Sequence, residues 1–127
     1  MKENWKDIEG YEGRYMVSDL GRVKSLHQEY YGGWRNKQLI VRPERIMGTP
    51  SNNWGYSNVR LSKDGKAKTM KVHRLVGLAF IPNPNNKRTI NHEDGNKSNN
   101  NVLNLSWCTH SENTQHAYNT GLIIRRT

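Results

Sequence analysis

The stretch from Thr89 to Asn113, TINHEDGNKSNNNVLNLSWCTHSEN, constrains the fold of this chain more than any other. Seven of its residues are asparagine, whose amide competes with the main chain for hydrogen bonds and so favours turns over regular structure. Two short runs stand apart from that tendency. Thr89 to His92 and Leu105 to Cys108 predict strands on either side of an asparagine-rich excursion, with Asp94-Gly95 as a turn. Thr109-His110-Ser111-Glu112 places a hydroxyl three residues before a glutamate, the capping-box form, so a helix is expected to begin there. It should run to about Asn119, with Gly121 suited to the left-handed position that ends it. A strand-loop-strand-helix unit can bring His92, Asn104 and Asn113 onto one small surface, where they could hold a metal, a base and a brace together.

Upstream, WKDIEGYEGRYMVSDLGRVKSL reads as a short hairpin, with Tyr15 and Val17 alternating against Arg14, Met16 and Ser18 and a turn at Asp19-Leu20-Gly21. Residues 30–36, YYGGWRN, read as a glycine-containing loop with exposed aromatics. Strands are expected at 37–41, 56–61 and 66–72, the last two joined by the turn signal SKDGK. VHRLVGLAF, residues 72–80, sets Leu75, Val76, Ala79 and Phe80 at helical spacing before Pro82 and Pro84 stop it.

The 127 residues suit one modest core, and an apolar content of 33% with a mean hydropathy of -0.99 excludes a large one. Aromatic residues must carry much of the packing, the tryptophans, Phe80 and the tyrosines among them, unless some face a ligand. Twenty Lys and Arg against 11 acidic residues give a net charge of +9, which favours a polyanionic partner. Cys108 is the lone cysteine, so no intrachain disulfide and no Cys-rich structural zinc cluster can form, and any metal must take oxygen or imidazole ligands. No apolar run approaches the length of a membrane span, and the amino terminus lacks a secretory signal, so no membrane association and a cytoplasmic location are expected.

From Val72 to Gly121, HRLVGLAF, INHEDGNKSNN, NLSWCTHSEN and HAYNTG together resemble the HNH endonucleases of phage and mobile introns. The amino-terminal WKDIEGYEGRYMVSDLGRVKSL resembles the NUMOD4 module that often precedes such a core in homing-type nucleases. The resemblance implies an α+β fold: a small β-rich, DNA-contacting module over residues 1–62, then a ββα-metal nuclease core over 63–127. It implies a phosphodiester hydrolase of phage or intron origin acting in a bacterial host, with His92 as the general base and Asn104 as the middle asparagine, bracing the loop and the orientation of His92 through hydrogen bonds. Asn91 and Asn113 become the ligands of one divalent cation, Mg²⁺ or Mn²⁺. Many relatives carry aspartate where this chain has Asn91.

That chemistry suits the residue types. An imidazole with an ordinary pKa of about 6.5 accepts a proton near neutrality. Hard cations take oxygen ligands, and two neutral amides predict weak metal binding until DNA adds its own charge. Double-stranded DNA is the expected partner of a monomer or homodimer, one such centre nicking one strand. The resemblance also predicts low sequence specificity, unless the amino-terminal module or a partner supplies it. Lys63, Lys66, Lys68, Lys71 and Arg74, with Arg14, Arg22, Lys24 and Arg35, are candidate phosphate contacts, and Arg125 and Arg126 a mobile basic tail. His116, three residues beyond Asn113, is a candidate auxiliary to the metal or DNA. His73 reads as locally packed, with phosphate contact as its other role. A catalytically weak DNA-binding protein keeping the HNH fold is the alternative function. An RNA-binding or protein-interaction module fits the charge but leaves the His92, Asn104, Asn113 pattern unexplained.

Overall fold

The computed structural model describes residues 2–119, and within the last helix the side chains as far as His116. Gly121 and the Arg125-Arg126 pair lie outside the described residues. Among the described residues ten strands and two α-helices follow in order: β1 (Trp5–Asp7), β2 (Tyr15–Ser18), β3 (Val23–Ser25), β4 (Gln28–Gly32), β5 (Gln38–Arg42), β6 (Arg45–Ile46), β7 (Asn58–Lys63), β8 (Lys66–Lys71), α1 (Val72–Phe80), β9 (Thr89–His92), β10 (Leu105–Cys108) and α2 (His110–Asn119).

The first segment builds more than the expected hairpin. β2 and β3 pair around the Asp19-Gly21 turn, and β1 and β6 add to their outer edges, giving an antiparallel sheet in the order β1-β2-β3-β6. Alternation turns Tyr15 and Val17 inward, with Val17 fully buried beside Val23. The loop expected at residues 30–36 is corrected: Gln28 to Gly32 is strand, paired with Gln38 to Arg42 as a separate two-stranded ribbon. Tyr30 and Tyr31 favour extended backbone, and the chain reverses only after them, where Gly33 takes a φ of +109°. The ribbon leaves Trp34 87% exposed and Trp54 is 75% exposed, so neither belongs to the core.

β7 and β8 form a hairpin closed by Asp64 and Gly65, both at positive φ, as the SKDGK signal predicts. α1 occupies the expected span and buries Val72, Leu75 and Val76. It lies so close to the β9–β10 hairpin that a Cβ on Gly77 would come within 2.3 Å of the Ile90 side chain. One buried cluster joins Val17 and Val23 of the first sheet to Leu61, Val76, Ile90 and Leu105. Both halves of the chain are therefore built on the same core. Among the described residues, no helix is long and apolar enough to cross a membrane.

Candidate active site

β9 and β10 pair antiparallel, with His92 opposite Leu105, Asn91 opposite Ser106 and Ile90 opposite Trp107. Strand alternation puts Ile90, His92, Leu105 and Trp107 on one face, and that face meets α1. Asn91 points the other way, with Thr89, Ser106 and Cys108. Asn91 and Cys108 are nevertheless buried, and α2 is the helix that packs on both strands besides α1. The hairpin thus offers an imidazole to one side and an amide to the other at the same point of β9.

His92 is 6% exposed and lies within 2.9 Å of the side-chain oxygen of Asn100, itself 5% exposed. An amide oxygen only accepts, so Nε2 of the imidazole donates and Nδ1 keeps its lone pair. His73 of α1 packs on this ring at a centroid distance of 5.0 Å, and Tyr56 stacks on His73 at 5.3 Å. Burial, reinforced by the neighbouring His92, Lys71 and Arg74, pushes the His73 pKa down to about 3, so that ring is neutral at physiological pH. His73 is thus buried and packed against the His92 ring. The ammonium groups of Lys71 and Lys97 lie 4.7 Å and 4.8 Å from the Tyr56 ring centre, so positive charge borders the imidazole pair.

Asn104 closes the loop. Its amide nitrogen donates to the Asp94 carboxylate and to the Asn99 carbonyl, each at 2.9 Å, while its amide oxygen accepts from the Asp94 main-chain N–H at 3.0 Å. The Glu93 N–H donates to the Asn104 carbonyl at 2.8 Å. Hydrogen bonds from Asn99, the Asn96 N–H and Asn104 hold the Asp94 carboxyl below its ordinary pKa. Asn104 therefore braces the loop, whereas the direct partner of the imidazole is Asn100.

The asparagines divide into two groups. Asn96, Asn99, Asn100, Asn101 and Asn104 all engage their side chains within the loop. Among the described residues, the amides of Asn91 and Asn113 make no hydrogen bond, although Asn91 is only 9% exposed and Asn113 is half-buried. Two unengaged amide oxygens suit a hard cation with oxygen preference, and no cluster of three or more His, Cys, Asp or Glu side chains competes for one among the described residues.

α2 is capped as expected. The Glu112 carboxylate accepts from the Thr109 N–H at 2.9 Å, and the Thr109 hydroxyl accepts from the Glu112 N–H at 3.1 Å. His116 Nε2 lies 2.9 Å from the Glu93 carbonyl and 3.8 Å from its carboxylate, tying α2 to the residue after His92. Asn113, one turn earlier, shares that side of the helix.

The basic positions differ in availability. Arg22 pairs with Glu3, Lys24 with Glu44 at 3.6 Å, and Arg14 with Asp64 at 3.9 Å. Lys63 donates to the Gly10 carbonyl at 2.8 Å and Arg74 to the Arg88 carbonyl at 2.7 Å. Arg35 lies over Trp34 on the ribbon. Lys66 and Lys68 are exposed and make no ion pair among the described residues. They line a surface cleft with Tyr11 and Lys63. Asn100, Tyr56 and Lys97 were missed by sequence reasoning. Asn100 sits in a run of three identical residues, with nothing local to distinguish the one that faces His92.

Comparison with known proteins matches residues 3–62 to the NUMOD4 motif and residues 70–115 to the HNH endonuclease family. The chain is 41% identical to an uncharacterized HNH endonuclease of Acanthamoeba polyphaga mimivirus, over 95% of this chain and 27% of that protein. It is 37% identical to DNA endonuclease I-HmuI of Bacillus phage SP01, over 94% of this chain and 60% of that one. A solved structure of DNA binding and cleavage by I-HmuI superimposes with a TM-score of 0.76 at 34% identity, covering 96% of this chain and 62% of that chain. The chain thus spans less than two thirds of the relatives it matches. The order of motifs, the strand-loop-strand-helix unit and these likenesses agree: the chain belongs to the HNH endonuclease family, with a NUMOD4 motif ahead of its HNH domain.

Proposed function

We propose that this protein is a DNA endonuclease that hydrolyses phosphodiester bonds with His92 as general base and one divalent cation held by Asn91 and Asn113. The observation that carries this reading is the division of the asparagines: those of the loop engage their side chains, whereas among the described residues the amides of Asn91 in β9 and Asn113 in the first turns of α2 make no hydrogen bond. The likeness to I-HmuI, whose solved structure concerns DNA binding and cleavage, supports DNA as the substrate.

His92 Nδ1, left with its lone pair by the bond at Nε2, takes the proton of the attacking water. When bound, Mg²⁺ or Mn²⁺ supplies Lewis-acid stabilisation of the charge on the leaving 3′ oxygen. Asn104 and Asp94 hold the loop that follows His92, and His116 keeps α2, with Asn113, against it. Lys66 and Lys68 on β8, then Lys71 and Lys97 beside Tyr56, form a cationic path for the phosphate backbone. The amino-terminal segment of residues 1–62 and the nuclease segment of 63–127 act as functional modules on one shared core. One centre of this kind nicks one strand, and a double-strand break takes a homodimer or two visits.

Conversion of supercoiled plasmid to nicked circles tests the proposal, in Mg²⁺, in Mn²⁺ and in EDTA. Cutting by the wild type that disappears in EDTA and in His92→Ala, with DNA binding retained, is the expected result. Binding without cutting in either metal overturns it in favour of a DNA-occupying protein, to which the neutral Asn91 points.

A further inference from the structure

We infer that Asn100 is a positioning residue for His92, and that the β2–β3 turn of the NUMOD4 segment holds Asn100 in place, so that the amino-terminal motif sets the imidazole tautomer in the HNH domain. The inference rests on His92 as the general base. Its first support is the buried hydrogen bond: Asn100 offers an oxygen 2.9 Å from Nε2, with both residues out of solvent. An amide oxygen accepts only, so a bond held in this buried setting keeps the proton on Nε2 and the lone pair on Nδ1.

The second support lies in the turn. Gly21, at φ +88°, touches Asn100 so closely that a Cβ would meet the Asn100 Cβ and carbonyl oxygen at 2.8 Å. Two residues beyond Asn100, the Val102 N–H donates to the Asp19 carbonyl at 2.8 Å. The turn is itself rigid. The Ser18 hydroxyl accepts from the Leu20 and Arg22 N–H groups, and the Asp19 carboxylate accepts from the main chain and side chain of Asn4. Asn100 is therefore gripped by a turn from the other motif while its amide reaches the base. A site assembled this way exists only when the amino-terminal sheet is folded.

The test reads the His92 ring nitrogens directly, by long-range proton–nitrogen correlation of the nitrogen-labelled full chain at pH 7.5, alongside single-turnover nicking and DNA affinity. The wild type should show a protonated Nε2. Asn100→Ala should lose that single tautomer and slow nicking about ten- to a hundred-fold with DNA affinity within about two-fold, and Asn100→Asp, which keeps an acceptor oxygen, should restore the tautomer. Gly21→Ala should reproduce Asn100→Ala. Gly13→Ala, at φ +78° with no atom within 4 Å of its new Cβ, imposes a comparable backbone penalty and should leave the His92 signals and the nicking rate unchanged. An Asn100→Ala spectrum with His92 as in the wild type overturns the positioning role, and a Gly21→Ala indistinguishable from Gly13→Ala overturns the role of the turn. The Asn100 pair decides the first point even where Gly21→Ala does not fold. Failure of the wild type to cut DNA removes the endonuclease reading, while the tautomer measurement still decides this one.

Discussion

Asn104 and Asp94 hold each other by two hydrogen bonds in opposite senses, the amide nitrogen of one donating to the carboxylate of the other at 2.9 Å and the main-chain N–H returning to the amide oxygen at 3.0 Å. A single asparagine therefore ties together the loop's beginning and, through Asn99, its middle. Asn104→Ala should lower the unfolding free energy by about 1–3 kcal/mol, because it removes three hydrogen bonds made by a buried amide, measured by urea denaturation. Asn104→Asp should destabilise more at pH 7, since it places a second carboxylate against Asp94 and removes the amide donor.

Acid should weaken the fold well before the carboxylates titrate. His73 is neutral when folded, with its pKa near 3, and protonates in the unfolded chain at its ordinary value near 6.5. Between those values the unfolded state binds more protons, so stability is complete above pH 6.5 and falls as the pH drops, by up to about 1.4 kcal/mol per pH unit. Glu3, held by Arg22 at a pKa of about 2, contributes stability that is lost only below its ordinary 4.5. Urea denaturation between pH 7.5 and 5 isolates the histidine, and His73→Phe should flatten the slope there.

Metal dependence should respond to charge at residue 91. Asn91→Asp adds a carboxylate where the amide makes no hydrogen bond among the described residues, and should lower the Mg²⁺ or Mn²⁺ concentration for half-maximal nicking by about ten-fold. Asn113→Ala should abolish nicking at any attainable metal concentration. Titration of each metal against plasmid nicking gives both results, and equal metal curves for wild type and Asn91→Asp would dismiss Asn91 as a ligand.

DNA affinity should depend on the exposed Lys66 and Lys68 of β8. Lys66→Gln with Lys68→Gln should reduce the slope of log affinity against log salt by about two and leave the thermal midpoint unchanged. Arg22→Gln, whose side chain is already paired with Glu3, should change the slope less. Fluorescence anisotropy across a salt series checks the comparison.

The reciprocal cap on α2 carries Asn113 at its start. Thr109→Ala should cost about 1 kcal/mol of stability and raise the metal requirement, because the helix frays at the turn that presents the amide. Calorimetry and the nicking titration together separate the two effects.

Much of this protein is legible in local patterns. The strands Thr89 to His92 and Leu105 to Cys108, helix α1 and the capping box follow from alternation, helical spacing and hydroxyl-glutamate spacing, all of which act within a few residues. The motif strings likewise identified the HNH and NUMOD4 resemblance, which the comparisons bear out. The ribbon of β4 and β5 was less legible, because the glycines in YYGGWRN mark where a reversal is permitted without saying how far the preceding strand runs.

What the chain alone determined is the set of elements and the kinds of chemical group they carry, since these depend on neighbours in sequence. Only the tertiary structure decided which asparagines are engaged and which are left, that Asn100 rather than Asn104 meets His92, and that His73 and Tyr56 cover the imidazole. Those outcomes depend on contacts such as Gly21 with Asn100. Residues so distant along the chain meet only after the shared core has set the distance between the two motifs, and no local spacing records that distance.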